Sequence, residues 1–368
     1  MKLATYNVEN LFQRAHALNL ATWHDGKDIL EKFSELNGVF NKATYSAADK
    51  AKIVQLVTAL GLAQKDDGSD FVILRQNKGK LLTRHQNGTI EVVAGGRSDW
   101  VGWLDLKITD VDEVATRNTA RVVKDVDADV LAVCEVENRA ALLRFSQLLP
   151  AVQGHPYAHA MVIDGNDERG IDCGIMTRAG YTIDWMQSHV DDKDGEGEIF
   201  SRDCAEYVIR TPAGNELFVL VNHLKSKGFG KQDDNDRKRK RQAARIKKIY
   251  EGLSQAGFAN VAVVGDFNDV VTNPPLAALH DTDLRDISTH PSFVSDGRAG
   301  TFANGNASEK IDYILLSPAL YARVQSGGVE RRGVWGGADG KLFPHYPQIK
   351  KAGEAASDHA ALFAQLDL

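Results

Sequence analysis

Cysteine is nearly missing from this sequence: three in 368 residues, Cys134, Cys173 and Cys204. The count is odd, and each lies in an apolar or strand-like stretch. A disulfide framework is thereby excluded and a reducing compartment favoured. No run approaches 18 apolar residues, so no transmembrane helix and no membrane partner are expected. The opening residues Met1-Lys2-Leu3-Ala4-Thr5-Tyr6-Asn7 lack a signal-type apolar core and run directly into a strand-like segment. These readings give a cytoplasmic location; a chain processed from a longer precursor would be secreted instead. Positive charge is also in deficit. Lys+Arg 44 against Asp+Glu 50 leaves −6, which by itself disfavours a surface coated for nucleic acid. There is no internal repeat and no low-complexity tract.

What is present is globular. The hydrophobic fraction is 43% and the charged fraction 26%, which excludes wholesale disorder. The length suggests about two domains as a first guess. Strand-like runs fall at 2–7, 129–134, 157–163, 171–177, 181–187, 204–210, 217–222, 260–265, 311–316 and 360–366. Several are continuous and apolar, as in Val130-Leu131-Ala132-Val133 and Val261-Ala262-Val263-Val264, which suits strands buried on both faces. Helical patterns cover 111–124, 139–148 and 237–253. Neighbouring strands at 171–177, 181–187 and 204–210 follow one another without helices, so the order fits an α/β sandwich better than a βαβ repeat.

Residues 13–110 stand apart as an insertion or subdomain within a single domain spanning 1–368. They contain a helix at 46–62 and two short strands, 80–85 and 89–93, around Asn87-Gly88, a hairpin signal because both residues tolerate positive φ. The acidic stretch 191–198 reads as a solvated hairpin tip rather than a calcium loop, since EF-hand spacing is absent.

Acidic, amide and imidazole groups recur where strands end. Asn7 and Glu9 follow the first strand, Glu135 and Glu137 the second. His223 follows 217–222, and Asp266 and Asn268 follow 260–265. Asp312 opens 311–316, and Asp358-His359 precedes the last strand. Each alone is an ordinary turn residue; the set is not, because strand-end loops are where sheet scaffolds place catalytic groups.

These segments resemble the endonuclease/exonuclease/phosphatase superfamily, the fold of deoxyribonuclease I, in its bacterial nuclease-like branch. They are Thr5-Tyr6-Asn7-Val8-Glu9-Asn10-Leu11, the run from Asp129 to Glu137, Phe200-Ser201-Arg202-Asp203, Val221-Asn222-His223-Leu224-Lys225-Ser226, Val264-Gly265-Asp266-Phe267-Asn268-Asp269, Lys310-Ile311-Asp312-Tyr313-Ile314-Leu315 and Ser357-Asp358-His359. They occur in the family's order. The resemblance implies a four-layer αββα sandwich of two mixed β-sheets, with an inserted α+β elaboration after the first strand. It also implies a metal-dependent phosphodiesterase acting on nucleic acid, DNA in particular, as endonuclease or exonuclease.

Phosphate-ester hydrolysis explains the residue types. The scissile phosphate is anionic, and a hard divalent ion with oxygen ligands neutralises it. By resemblance Glu135 is the principal metal ligand, with Asn7, Glu9 and Asp358 around the same ion. The ion is Mg²⁺, or else Mn²⁺ or Ca²⁺. Asp266 and Asn268 match the pair that orients and activates water, and His359 the histidine at the scissile phosphate. Asp312 matches the carboxylate that pairs with an active-site histidine. His223 matches the nuclease branches and can act opposite His359. Arg202 matches a phosphate clamp, with Arg169 and Lys225 as further phosphate contacts.

One feature offsets the acidic total. Residues 225–248 carry eleven Lys+Arg and three Asp, a local +8 that leaves −14 for the remainder. Its core, Arg237, Lys238, Arg239, Lys240 and Arg241, precedes an apolar stripe of Ile246, Ile249, Tyr250 and Leu253. The reading is an amphipathic helix with its basic face outward. A solvated face is the ordinary meaning of such a run; its start in the His223 loop favours phosphate-backbone contact. Residues 326–356, with seven glycines, read as a long loop carrying Trp335 and Tyr346, either packed or stacked on a base. Two alternatives stay open: a phosphatase or lipid phosphodiesterase of the same superfamily, and a catalytically silent nucleic-acid-binding module.

Overall fold

The computed structural model describes residues 1–9, 15–20, 23–108, 113–167, 169–228 and 230–368. The chain divides into two compact units. One comprises 1–12, 111–227 and 231–368, the other 13–110 and 228–230. In chain order the elements begin with β1 (Lys2–Asn7), α1 (Trp23–Phe40), α2 (Ala47–Ala59), β2 (Val72–Lys78), β3 (Leu82–Arg84), β4 (Ile90–Val92) and β5 (Val101–Leu106). Then come α3 (Glu113–Val126), β6 (Val130–Val136), α4 (Arg139–Leu148), β7 (His159–Ile163), β8 (Asp172–Thr177), β9 (Thr182–Gln187), β10 (Lys193–Asp194), β11 (Gly197–Glu198), β12 (Cys204–Arg210) and β13 (Glu216–His223). The last are α5 (Gln232–Gln255), β14 (Val261–Asp266), α6 (Ala277–His280), β15 (Arg285–Asp286), β16 (Phe293–Val294), β17 (Asp312–Leu316), α7 (Pro318–Tyr321), β18 (Val324–Glu330) and β19 (Ala361–Leu366).

The larger unit contains two mixed sheets. A seven-stranded sheet runs β16-β18-β19-β1-β6-β8-β7, and a six-stranded sheet runs β15-β17-β14-β13-β12-β9. Strand alternation builds the layers. Leu3, Val130 and Ala132 from the first sheet meet Val219, Val221, Ala262 and Val264 from the second in one shared core. The alternate residues Ala4, Tyr6, Leu131 and Val133 face Val122 and Val123 of α3 and Phe145 of α4. On the far side, Leu220, Val261 and Val263 face Ala243, Ile246 and Ile249 of α5. Both faces of each central strand are therefore dry, which is why the strands read as unbroken apolar runs. The result is the four-layer αββα sandwich. All three thiols are buried and free.

The smaller unit has its own core, in which Phe33, Leu36 and Phe40 of α1 pack with Ile53, Leu56 and Val57 of α2, and with Val72, Leu74, Trp100 and Leu104. Ser46 caps α2, and its hydroxyl accepts from the Asp49 amide in a reciprocal capping box. The Asn87-Gly88 hairpin forms between β3 and β4. Its turn differs from the two-residue form: His85 pairs with Thr89, and Gly88 takes the positive φ, at 83°. A three-residue loop needs only one left-handed residue, and glycine supplies it.

Several elements escaped the sequence reading, among them α1, β2 and β18. Helix α1 carries Gly26 and Gly38, which dilute its periodicity. Strand β2 ends Arg-Gln-Asn-Lys, with its last residues exposed. Strand β18 occupies the start of the supposed loop at 326–356; Gly327 and Gly328 mask it, yet it pairs with β19. The predicted helix at 111–124 begins on residues 111–112, outside the described set, and is helical from Glu113. Asn10 and Leu11 of the first motif likewise lie outside the described residues.

Leu220 is fully buried between β13 and α5. Leu220→Ala should cost about 2–5 kcal/mol, read as a lower urea midpoint at unchanged slope; a loss under ~0.5 kcal/mol would contradict the packing described.

Candidate active site

Strand direction explains why distant motifs converge. β1 runs parallel to β6, and β13 parallel to β14, so Asn7, Glu135, His223 and Asp266 lie at or near one end of their strands. β17 is antiparallel to β14 and β19 antiparallel to β1, so their starts lie at that same end. Register completes the row: His223 sits opposite Asp266, and Asp266 opposite Asp312. Gly265 permits the close approach. It has φ 127°, and a Cβ there would stand 1.9 Å from the Asn222 carbonyl oxygen.

Side chains join the sheets at this end. Asn7 Nδ2 donates to Asp266 Oδ2 at 3.1 Å, and Cys134 Sγ donates to the Asn222 carbonyl at 3.3 Å. Left-handed backbone clusters here too. Glu9, Glu135 and Asn268 have φ of 51°, 65° and 54°, three of the six non-glycine residues with positive φ among the described residues. For Glu135 the cause is visible: register slips between Cys134 and Val136, a bulge that turns its side chain out of the strand's alternation. Such strain persists where a site over-determines it.

Asp266 is the centre. Its carboxylate accepts the Asn268 amide at 2.8 Å as well as Asn7 Nδ2, and His223 Nε2 and His359 Nε2 stand 3.5 and 3.8 Å away. Burial, and after it the Asp312 carboxylate, push its pKa up to about 7. Asp312 Oδ2 accepts from Thr301 Oγ1 at 2.6 Å and faces His359 Nδ1 at 2.8 Å. Burial disfavours the His359 imidazolium, but Asp312, then Asp266 and Asp358, more than offset it, and its pKa lies well above the ordinary histidine value. His223 goes the other way. Burial, then Arg202 and Arg169, hold it well below that value, so it is neutral. The two imidazoles around one carboxylate therefore differ in charge, one neutral and one cationic.

Ser357 holds the last motif in place: its hydroxyl donates to the Asn7 carbonyl at 2.8 Å and accepts the His359 amide at 3.0 Å. The Phe302 ring lies 4.9 Å from the His359 ring. Glu135 is half-buried, with its nearest ionic neighbour His223 Nε2 at 3.8 Å. Asp358 stands 3.7 Å from His359 Nε2, and its amide donates to Glu9 Oε2 at 3.1 Å. Asn7 Oδ1 accepts the Glu9 amide at 3.1 Å, which leaves it one lone pair. Asn7, Glu9 and Asp358 are thus joined by hydrogen bonds, and Glu135 stands within 3.8 Å of the His223 imidazole at the same end of the sandwich. Hard oxygen donors with excess negative charge suit a hard divalent cation. Ligand atoms of Asp266, Asp312 and His359 also lie within 4.8 Å of one another. Asp312 Oδ2 is already engaged by Thr301 and His359, so that trio reads as a histidine-orienting relay.

Several expectations need correction. Arg202 is 1% exposed, with Nη1 3.2 Å from Asp167 and Nη2 donating to the Leu224 carbonyl at 3.0 Å. A phosphate clamp needs accessible donors, so Arg202 instead supports the His223 loop. Arg169 makes a two-point pair with Asp167, at 2.8 and 2.6 Å. Its motif neighbour Glu168 lies outside the described residues. Burial, then Arg202 and Arg169, bring the half-buried Lys225 down to about 7. Of the basic run, Arg239 is fully buried: it donates to the Lys225 carbonyl at 2.8 Å and pairs with Asp236 and with Asp269 at 3.3 Å. Arg241 grips Asp194, and Lys238 donates to the Glu198 carbonyl. Only Arg237 and Lys240 of the five are exposed. The hairpin 191–198 is therefore more than a solvated tip, since Asp194 and Asp192 neutralise Arg241 and Arg245. Tyr346 is buried with its hydroxyl on Asp125, so it offers no stacking face, and Trp335 stacks on His345. Asp167, which holds two guanidinium groups, and Thr301, which orients Asp312, were missed. Asp167 had a signal in its spacing to Arg169; Thr301 had none.

A buried carboxylate between two imidazoles, rimmed by oxygen donors, is equipment for hydrolysing phosphate esters. The chain belongs to the endonuclease/exonuclease/phosphatase family, whose model matches residues 91–325. Its fold is shared with the mannosyl-6-phosphatase of Bacteroides thetaiotaomicron, at 18% identity and TM-score 0.51, over 69% of this chain and 92% of that one. The catalytic domain of human nocturnin, solved with a bound sulfate, is similar at 15% identity and TM-score 0.50, over 69% and 86%. No curated protein sequence matches the chain.

Asp312→Asn should lower the His359 pKa, measured by imidazole NMR. His359 binds its proton more tightly when folded. The stability this lends is present below pH ~6.5 and is lost as pH rises through the higher folded value. The variant should lack that alkaline loss; an unchanged titration would reject the pairing.

Proposed function

We propose that this phosphate-ester hydrolase is a divalent-metal-dependent phosphodiesterase that cleaves the nucleic-acid backbone, DNA in the first instance, by in-line attack of an activated water. The observation that carries the reading is the pair of imidazoles on Asp266, His223 Nε2 at 3.5 Å and His359 Nε2 at 3.8 Å. A diester needs a proton acceptor for water and a positive donor near the phosphate, and this arrangement supplies both.

In this reading Asn7 and Asn268 aim the Asp266 carboxylate, which accepts a proton from the attacking water. With a pKa near neutrality, Asp266 matches the Brønsted optimum for a base. His359, kept cationic by Asp312, faces a phosphate oxygen. His223, kept neutral, serves on the opposite side of Asp266 as hydrogen-bond donor or proton acceptor. Asn7, Glu9, Glu135 and Asp358 would hold the cation, Mg²⁺ first, with Mn²⁺ or Ca²⁺ as substitutes. That ion would neutralise the phosphate charge and stabilise the leaving oxygen.

A phosphomonoesterase is the second reading. The observation in its favour is that most of the basic helix is neutralised within the fold, as in Arg241–Asp194 and Arg245–Asp192.

Supercoiled plasmid nicking with Mg²⁺ tests the assignment. EDTA should abolish it, and Asp266→Ala and His359→Ala should each lower the rate roughly 10²-fold or more. Near-normal nicking by either variant would reject its role.

A further inference from the structure

Most cations of helix α5 are claimed from within. Arg241 and Arg245 belong to the hairpin carboxylates, and Arg239 lies beneath the surface. The exception is a groove of about 530 Å³ where α5 meets the loop that follows Asn268, lined by Lys227, Arg237, Lys240, Asp236 and Asp269 among others. Lys240 is exposed and has no hydrogen bond or ion pair among the described residues. Arg237 has only Asp234 at 3.9 Å, both side chains over 60% exposed, a contact that solvent largely screens.

The two carboxylates of the groove do not cancel this charge. Asp269 is already held by Lys227 at 2.5 Å and by Arg239 at 3.3 Å. Asp236 is held by Arg239 and by Gln232 Nε2 at 2.7 Å. Of the groups lining the groove, Lys227, Arg237 and Lys240 against Asp236 and Asp269 leave an excess of one positive charge, and Arg239 buried beneath them adds another. The position matters as much as the sign. Lys227 follows the His223 loop by four residues, Asp269 adjoins Asn268, and Asn268 Nδ2 ties the two loops through the Leu224 carbonyl at 3.1 Å. The groove thus begins where both catalytic loops end.

We propose that this groove binds a backbone phosphate of the polynucleotide next to the scissile one, with Lys240 and Arg237 as its contacts. The proposal rests on the nuclease reading and adds the feature by which a polyanionic chain would be preferred over a small phosphate ester. Arg239 is a positioning residue here: buried, it draws α5 onto the Lys225 carbonyl and Asp269 and sets the groove's floor.

The test is binding of a fluorescein-labelled 20-mer DNA in EDTA, as a function of salt. The double variant R237E/K240E should bind about tenfold or more weakly at low salt, and its log–log salt slope should fall by about 1–2. Lys248→Glu, a single charge reversal at another exposed position of the helix, should leave binding near wild type. Unchanged binding in the double variant overturns the groove, as does an equal loss in Lys248→Glu or no wild-type binding. The two claims separate cleanly. Groove-dependent binding without Mg²⁺-dependent cleavage sinks the nuclease reading alone. Cleavage with groove-independent binding sinks the groove alone. In turnover, the double variant's loss should fall on KM for the 20-mer rather than on kcat.

Discussion

The fold is arranged around one buried carboxylate. Asp266 is 2% exposed, and an isolated carboxylate in such a place would simply take up a proton. Its neighbours hold it near the point of titration instead. An amide from β1 and a backbone amide from its own loop stabilise the ionised form, while Asp312 and burial oppose it. Those neighbours come from both sheets, so the carboxylate's state depends on the sandwich closing correctly. Gly265, the bulge at Glu135 and the left-handed turns at Glu9 and Asn268 are local concessions that bring the groups within reach.

Charge follows the same economy. The chain's −6 divides into a +8 stretch and a −14 remainder, a division that first suggested a broad cationic face. The structure narrows that face. Hairpin carboxylates answer Arg241 and Arg245, and Asp236 and Asp269 answer Arg239. Two further guanidinium groups, Arg169 and Arg202, share Asp167 beside His223. Positive charge near the active site then includes His359, the Asp167 pair of arginines and the exposed groove on α5.

Strand positions and strand-end residues were legible in the sequence because both faces of the central strands are dry. Runs such as Val261-Ala262-Val263-Val264 leave little else to be, and the polar residue after each run marks the sheet's working end. Partner choice was not legible. Arg241 meets Asp194 across 47 positions, and Arg202 meets Asp167 across 35, so their burial depends on topology rather than local pattern. That is why a supposed phosphate clamp proved to be a support, and why only two of five basic helix residues face outward. Elements with glycine inside or a solvated face, α1, β2 and β18, were hidden for the complementary reason: their periodicity is carried by few side chains.

The central claim is that this end of the sandwich hydrolyses phosphodiesters in nucleic acid. The most direct measurement compares supercoiled plasmid, RNA and a generic phosphomonoester as substrates of the wild-type chain with Mg²⁺, each against an EDTA control. The account requires metal-dependent cleavage of nucleic acid at a kcat/KM well above that for the monoester. Phosphate released from the monoester, with plasmid and RNA left intact, would contradict it.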